Sequence, residues 1–168
     1  MLGIKHLLVG PTEDEIINNL AGNPDKLLIF ASKESSIRCA ESALNAGASK
    51  TAKLQALISA SKEGNLEIVQ LLIEHCVNIH EKKDEALRKA AYHGHLNVIE
   101  LLVTNGADIH ANNEEALSFA VWHTKNANLD IVKYLLQNGA KIEISKNSHQ
   151  TKWQNIKNLS IKEYLDNL

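Results

Sequence analysis

Residues 84–113, DEALRKAAYHGHLNVIELLVTNGADIHANN, are followed at 114–146 by a second copy of the same pattern, EEALSFAVWHTKNANLDIVKYLLQNGAKIEISK. A repeated supersecondary unit buries its apolar face against the next copy, so such a chain builds a stack in which each unit touches its neighbours. Two fainter copies precede, at 25–53 and 54–83, and small residues recur at Ala31, Ala60, Ala90 and Ala120. The expected fold is a single all-α domain over 1–168, a helical solenoid of about four repeats (25–53, 54–83, 84–113, 114–146). Capping segments at 1–24 and 147–168 complete it.

The second half of each unit fixes its own burial. Leu66, Ile68, Val69, Leu71, Leu72 and Ile73 correspond to Leu96, Val98, Ile99, Leu101, Leu102 and Val103. In the fourth unit the same places hold Leu129, Ile131, Val132, Tyr134, Leu135 and Leu136. Only Glu67 and Gln70, Asn97 and Glu100, or Asp130 and Lys133 interrupt the run, which predicts a helix covered on both sides with one narrow wet stripe. Gly64 and Gly94 suit a turn between the two helices of a unit, and Gly47, Gly106 and Gly139 suit a left-handed stop after the second. Cys76 stands at that stop in the second unit, where a side chain costs on the order of 1 kcal/mol.

The segments GHLNVIELLVTNGADIH and NLDIVKYLLQNGA, each preceded by a short helix ending Ala-Ala or Ala-Val, resemble the ankyrin repeat over roughly Asp25 to Lys146. The chain departs from that family where the first helix usually opens Thr-Pro-Leu-His. Here it opens Glu85-Ala86-Leu87-Arg88 and Glu115-Ala116-Leu117-Ser118, and Gly106 to Ala120 is about three residues short of the usual period of about 33. Short loops are therefore expected in place of β-hairpin fingers. The resemblance implies a non-catalytic module that binds another protein in a concave groove formed by the inner helices and the loops.

Mapped onto that arrangement, the groove receives Lys33 and Glu34, Lys62 and Glu63, Tyr92 and His93, and Trp122 and His123, so it runs from charged to aromatic. Tyr92, His93, Trp122 and His123 are the expected central contacts, with Lys62 and Glu63 beside them. Asp84, Glu85, Glu114 and Glu115 form an acidic rim, or alternatively sit at helix N-termini where the macrodipole favours carboxylates. Trp122 has two readings, an interface anchor whose truncation leaves stability nearly unchanged, or a side chain folded down on Phe119 or the loop 124–128. That loop adds three residues relative to Gly94-His95; it is either part of the binding face or a neutral length variation.

With 44% hydrophobic residues and a net charge of −2, the chain reads as a soluble domain. No transmembrane run or secretory signal is evident, Cys39 and Cys76 lie far apart in the stack, and a cytoplasmic location is expected. Mixed charges give no footprint for nucleic acid or membrane. Lys outnumbers Arg sixteen to two, from which no mechanism follows. No phosphate loop, nucleophile elbow or His-Glu-x-x-His is present, so no catalytic residue, cofactor, metal or small-molecule substrate is assigned. The competing class is a histidine- or metal-dependent activity at His93, His95 and His123. His80, His95 and His110 read more simply as residues that bond loop backbone. Within the binding class, an adaptor, inhibitor or immunity-type protein acting by occlusion or tethering is one role. A secreted effector of an intracellular bacterium, or a viral host-interaction protein, is the other.

Two capping boxes bound the stack, Thr12 with Glu15 and Ser160 with Glu163. The last helix is expected to turn Ile161, Tyr164, Leu165 and Leu168 onto the final repeat, over Trp153 and Ile156.

Overall fold

The computed structural model describes residues 10–122, 128–141 and 158–168. Ten helices are formed among these residues: α1 (Glu13–Leu20), α2 (Pro24–Glu34), α3 (Ile37–Asn45), α4 (Lys50–Glu63), α5 (Leu66–Glu74), α6 (Glu81–His93), α7 (Leu96–Thr104), α8 (Ala111–Trp122), α9 (Leu129–Gln137) and α10 (Leu159–Asp166). They pack as sequential pairs in two layers. The inner layer runs α2, α4, α6, α8, each on the next, and the outer layer runs α1, α3, α5, α7, α9, α10.

The repeat pattern becomes ladders of buried side chains. Leu28, Leu57, Leu87 and Leu117 align along the inner layer, above the alanines Ala31, Ala60, Ala90 and Ala120, all buried. Small residues there let neighbouring inner helices approach closely. In the outer layer Cys39, Ile68, Val98 and Ile131 form one ladder and Ala43, Leu72, Leu102 and Leu135 another, again fully buried. Interdigitation at interior density is what holds units together that share no common centre.

The two ends differ in how closely they follow the sequence. Thr12 and Glu15 make the reciprocal capping box. Glu13 accepts from Ser36 Oγ, and Asp14 pairs with Arg38 at 2.6 Å, so α1 is tied to the start of α3. At the other end the capping residue is Asn158, whose side chain accepts from Ile161 N–H at 3.2 Å; Ser160 lies inside α10 and no Ser160 box forms. Asn has as strong a capping preference as Ser and comes first in the chain. Ile161 is sealed, Tyr164 and Leu165 are half-buried, and the Lys133 ammonium sits 5.6 Å from the Tyr164 ring centre. Leu168 lies past the helix end and is 70% exposed, so it does not join that face. Trp153, Ile156 and the loop residues 124–127 lie outside the described residues.

The short loops replace hairpins as the missing residues require: among the described residues there is no strand. Instead Lys82, Lys83 and Asp84, and at the equivalent place Asn112, Asn113 and Glu114, take left-handed backbone with φ between 51° and 61°. Regular helix resumes at Glu85 and Glu115. A left-handed residue costs roughly 1–2 kcal/mol, and three in succession need external support. Arg88 supplies it in the third unit, donating to the carbonyls of Lys82 and Lys83 at 3.0 Å each and pairing with Glu115 of the next unit. The second unit has no such turn, because Ser49 caps α4 directly and the helix starts at Lys50. Cys76 does take the left-handed stop, at φ 54°.

Candidate functional site

The described residues expected in the groove lie at the C-terminal ends of the inner helices. Lys33 and Glu34 from α2, and Lys62 and Glu63 from α4, line an open cavity of about 580 Å³. Gln55, Ile58 and Ser59 from the α4 surface, with Lys82 and Glu85 from the start of α6, complete it. Its charges are mutually engaged: Lys62 donates to Glu63 at 2.8 Å, and Lys82 lies 3.7 Å from Glu85. The bond from Lys62 holds the Glu63 carboxyl below its usual range.

One unit further the face becomes aromatic. Tyr92 meets Phe119 of α8 edge to face, with ring centres 5.1 Å apart, and contacts the His93 ring at 4.9 Å. His93 in turn lies parallel to His95 at 6.3 Å. Burial lowers the His93 pKa, helped by the neighbouring Lys62, His95 and Lys89 and opposed by Glu63. His93 therefore presents a neutral ring that extends the aromatic surface. Trp122 ends α8 and is half-buried, packed partly on the core beside Phe119. Truncating Trp122 therefore costs stability as well as surface. His123 lies outside the described residues.

Two of the four acidic rim positions are corrected. Asp84 is 4% exposed and Glu114 is fully buried, so neither forms a rim. The left-handed turns swing both carboxylates inward. There Asp84 Oδ1 accepts Asp108 N–H at 2.9 Å and faces His80 Nδ1 at 3.1 Å, while Glu114 Oε1 faces His110 Nδ1 at 2.6 Å. Glu114 Oε2 is buried with no hydrogen-bond partner. Glu85 and Glu115 stay half-exposed, paired with Lys82 and Arg88.

Of the three histidines expected to bond loop backbone, only the His95 ring does so; the His80 and His110 rings face the Asp84 and Glu114 carboxylates instead. His95 Nε2 lies 2.9 Å from the Lys62 carbonyl, and since a carbonyl only accepts, Nε2 carries the hydrogen. It thereby satisfies an orphan carbonyl at the end of the previous unit's inner helix. Asn65 does the same one unit earlier, donating to Ser32 O at 2.9 Å. Among the described residues no group of three or more His, Cys, Asp or Glu side chains is placed to hold a metal ion. Arg88 was missed in the sequence, although it is one of two arginines among sixteen lysines. Its signal was that rarity: only the guanidinium fork reaches two carbonyls and a carboxylate at once.

The family model for ankyrin repeats (3 copies) matches residues 3–113 and 57–146. The chain belongs to the ankyrin-repeat family. Among curated proteins none matches it. Ankyrin repeats generally mediate protein–protein interactions and are typically non-catalytic, and the match takes in α1 as well as the four ankyrin units read from the sequence. No described helix is long and apolar enough to cross a membrane.

Proposed function

We propose that this ankyrin domain is a non-catalytic binding module whose partner protein docks along the inner-helix face and is occluded or tethered there, as by an adaptor, inhibitor or immunity-type protein. The reading rests on one observation: the edge-to-face pair Tyr92–Phe119, flanked by His93, and the half-buried Trp122 lie on the inner helices that follow the one carrying Lys62 and Glu63 of the charged cavity. Aromatic side chains give a large contact area for little rotamer entropy, and anchors of this kind dominate binding free energy. Lys62, Glu63, Glu85 and Glu115 supply the polar border; Asp84 and Glu114 have no part in it.

Tyr92 gives the cleaner test, because Trp122 also supports the core. The partner is recovered by affinity capture from the native organism and from a candidate host, and titrated calorimetrically. Tyr92→Ala is expected to weaken binding by about 2 kcal/mol, roughly thirtyfold, with the far-ultraviolet spectrum unchanged. Unaltered affinity for Tyr92→Ala and Trp122→Ala together refutes docking on this face.

A further inference from the structure

The first residue of each unit, Asp25, Leu54, Asp84 and Glu114, breaks its own pattern once, and a cavity lies where it does. In the first unit Asp25 accepts Ser49 N–H at 2.7 Å, and in the third Asp84 accepts Asp108 N–H at 2.9 Å; in both the acceptor closes the loop 24 residues further on. That loop leads into the next unit, so the carboxylate acts as a clamp between units. The second unit has Leu54 in this place, and the N–H equivalent to those of Ser49 and Asp108 belongs to Asn78. Leu54 and Asn78 both line a cavity of about 640 Å³. A pocket of that size is within the range that takes a small molecule.

The walls define what fits. Lys50 and Lys53 contribute two cationic side chains to the lining, Leu54 and Val77 contribute apolar surface, and Asn78, whose backbone N–H is the repeat equivalent of those the clamp carboxylates accept, lines it too. The acid on the wall, Glu81, accepts from the Asn78 side-chain amide at 3.2 Å and is thereby turned to its own loop. We propose that this cavity binds a small organic acid, whose carboxylate takes the clamp position between Lys50, Lys53 and the Asn78 backbone while a short apolar tail lies on Leu54 and Val77. The ligand supplies in trans the acceptor that Asp25 and Asp84 supply in the first and third units, and it rigidifies the junction of the second and third. This site lies on the loop edge, away from Tyr92 and Trp122, and stands or falls independently of partner docking.

The probe is sodium pentanoate, titrated into the ¹⁵N-labelled full chain at constant ionic strength, with pentanol and sodium chloride as controls. Saturable shifts are expected at the amides of Asn78, Val77 and residues 50–54, in the low millimolar range, with neither control reproducing them. Leu54→Glu places a carboxylate inside the cavity and is expected to abolish the shifts. The surface pair Lys50→Gln/Lys53→Gln, which leaves the core untouched, is expected to raise the midpoint several-fold. No saturable shift with pentanoate, equal shifts with pentanol, or an unchanged midpoint in the lysine pair overturns the proposal.

Discussion

Replacing Gly64 by Ala tests the idea that a single histidine locks the second and third units together. Gly64 has φ +80°, so any side chain there is strained by roughly 1–2 kcal/mol. A Cβ would also lie 2.5 Å from His95 Nδ1 and 2.9 Å from its Cγ. Contact with Cγ means that the ring cannot escape by swinging its tip, and the whole imidazole must leave. Its bond to the Lys62 carbonyl then breaks, at a cost of about 1 kcal/mol. Gly106 is the internal control: its φ is +94°, and an added Cβ meets nothing within 4 Å. Gly64→Ala is therefore expected to cost about 2–3 kcal/mol, and Gly106→Ala only the conformational 1–2 kcal/mol. The measurement is urea unfolding followed by circular dichroism, with mutants compared at equal slope because repeat arrays lose cooperativity easily. In a His95→Ala background the Gly64→Ala cost should fall to that of Gly106→Ala. If the two glycine mutants cost the same, or if His95→Ala leaves the Gly64 cost unchanged, the lock does not exist.

The two buried carboxylates differ in what they hold, and Asp84→Leu against Glu114→Leu separates them. Both positions share left-handed backbone (φ 51° and 60°), so that penalty cancels. Asp84→Leu strands the Asp108 N–H and is expected to cost about 1–3 kcal/mol more than Glu114→Leu, whose Oε2 has no partner to lose. Equal losses in urea unfolding would contradict this. Acid should act first through His93. Its pKa is lowered in the folded state, so the unfolded chain binds the proton more readily; stability is full above about pH 6.5 and declines as pH falls through that value. Glu63 and Asp25 are lowered too, the latter by hydrogen bonds from the Ser49 backbone and then its side chain. Their contributions persist above the usual carboxylate range and are lost only at lower pH. His93→Gln is expected to flatten the decline that begins near pH 6.5 as pH falls, and an unchanged slope would remove His93 as its source.

What the sequence displayed, and what it hid, divide by range. The recurring Ala31, Ala60, Ala90 and Ala120 and the ladder through Leu72, Leu102 and Leu135 were legible because each unit repeats the same packing problem, and a helical period carries the answer locally. The buried fate of Asp84 and Glu114 was not. At a helix start a carboxylate is expected to face water or the dipole, and only three successive left-handed residues turn it inward. No local propensity predicts that arrangement for Lys82 and Lys83. In the third unit it is supported by Arg88, whose bonds to the carbonyls of Lys82 and Lys83 and to Glu115 span two units. In the same way Ser160 read as a cap because its spacing to Glu163 was right, while Asn158 reached the Ile161 N–H first.

Comparing a chain with itself also says which positions recognition can use. Packing acts almost identically on the four units, so a place that keeps one chemistry through all of them is dictated by the stack. The inner leucines, the alanines and the outer aliphatic ladder are such places, all buried. A place whose chemistry changes while its surroundings stay constant is one that packing leaves open. Lys33, Lys62, Tyr92 and Trp122 succeed one another at a single repeat position, one residue beyond Ser32, Ser61, Ala91 and Val121, which are buried throughout. One step along each helix therefore separates a residue sealed in the stack from one whose chemistry varies between units. The same contrast singles out Leu54, which interrupts a run of carboxylates where the fold would gain a clamp from keeping it.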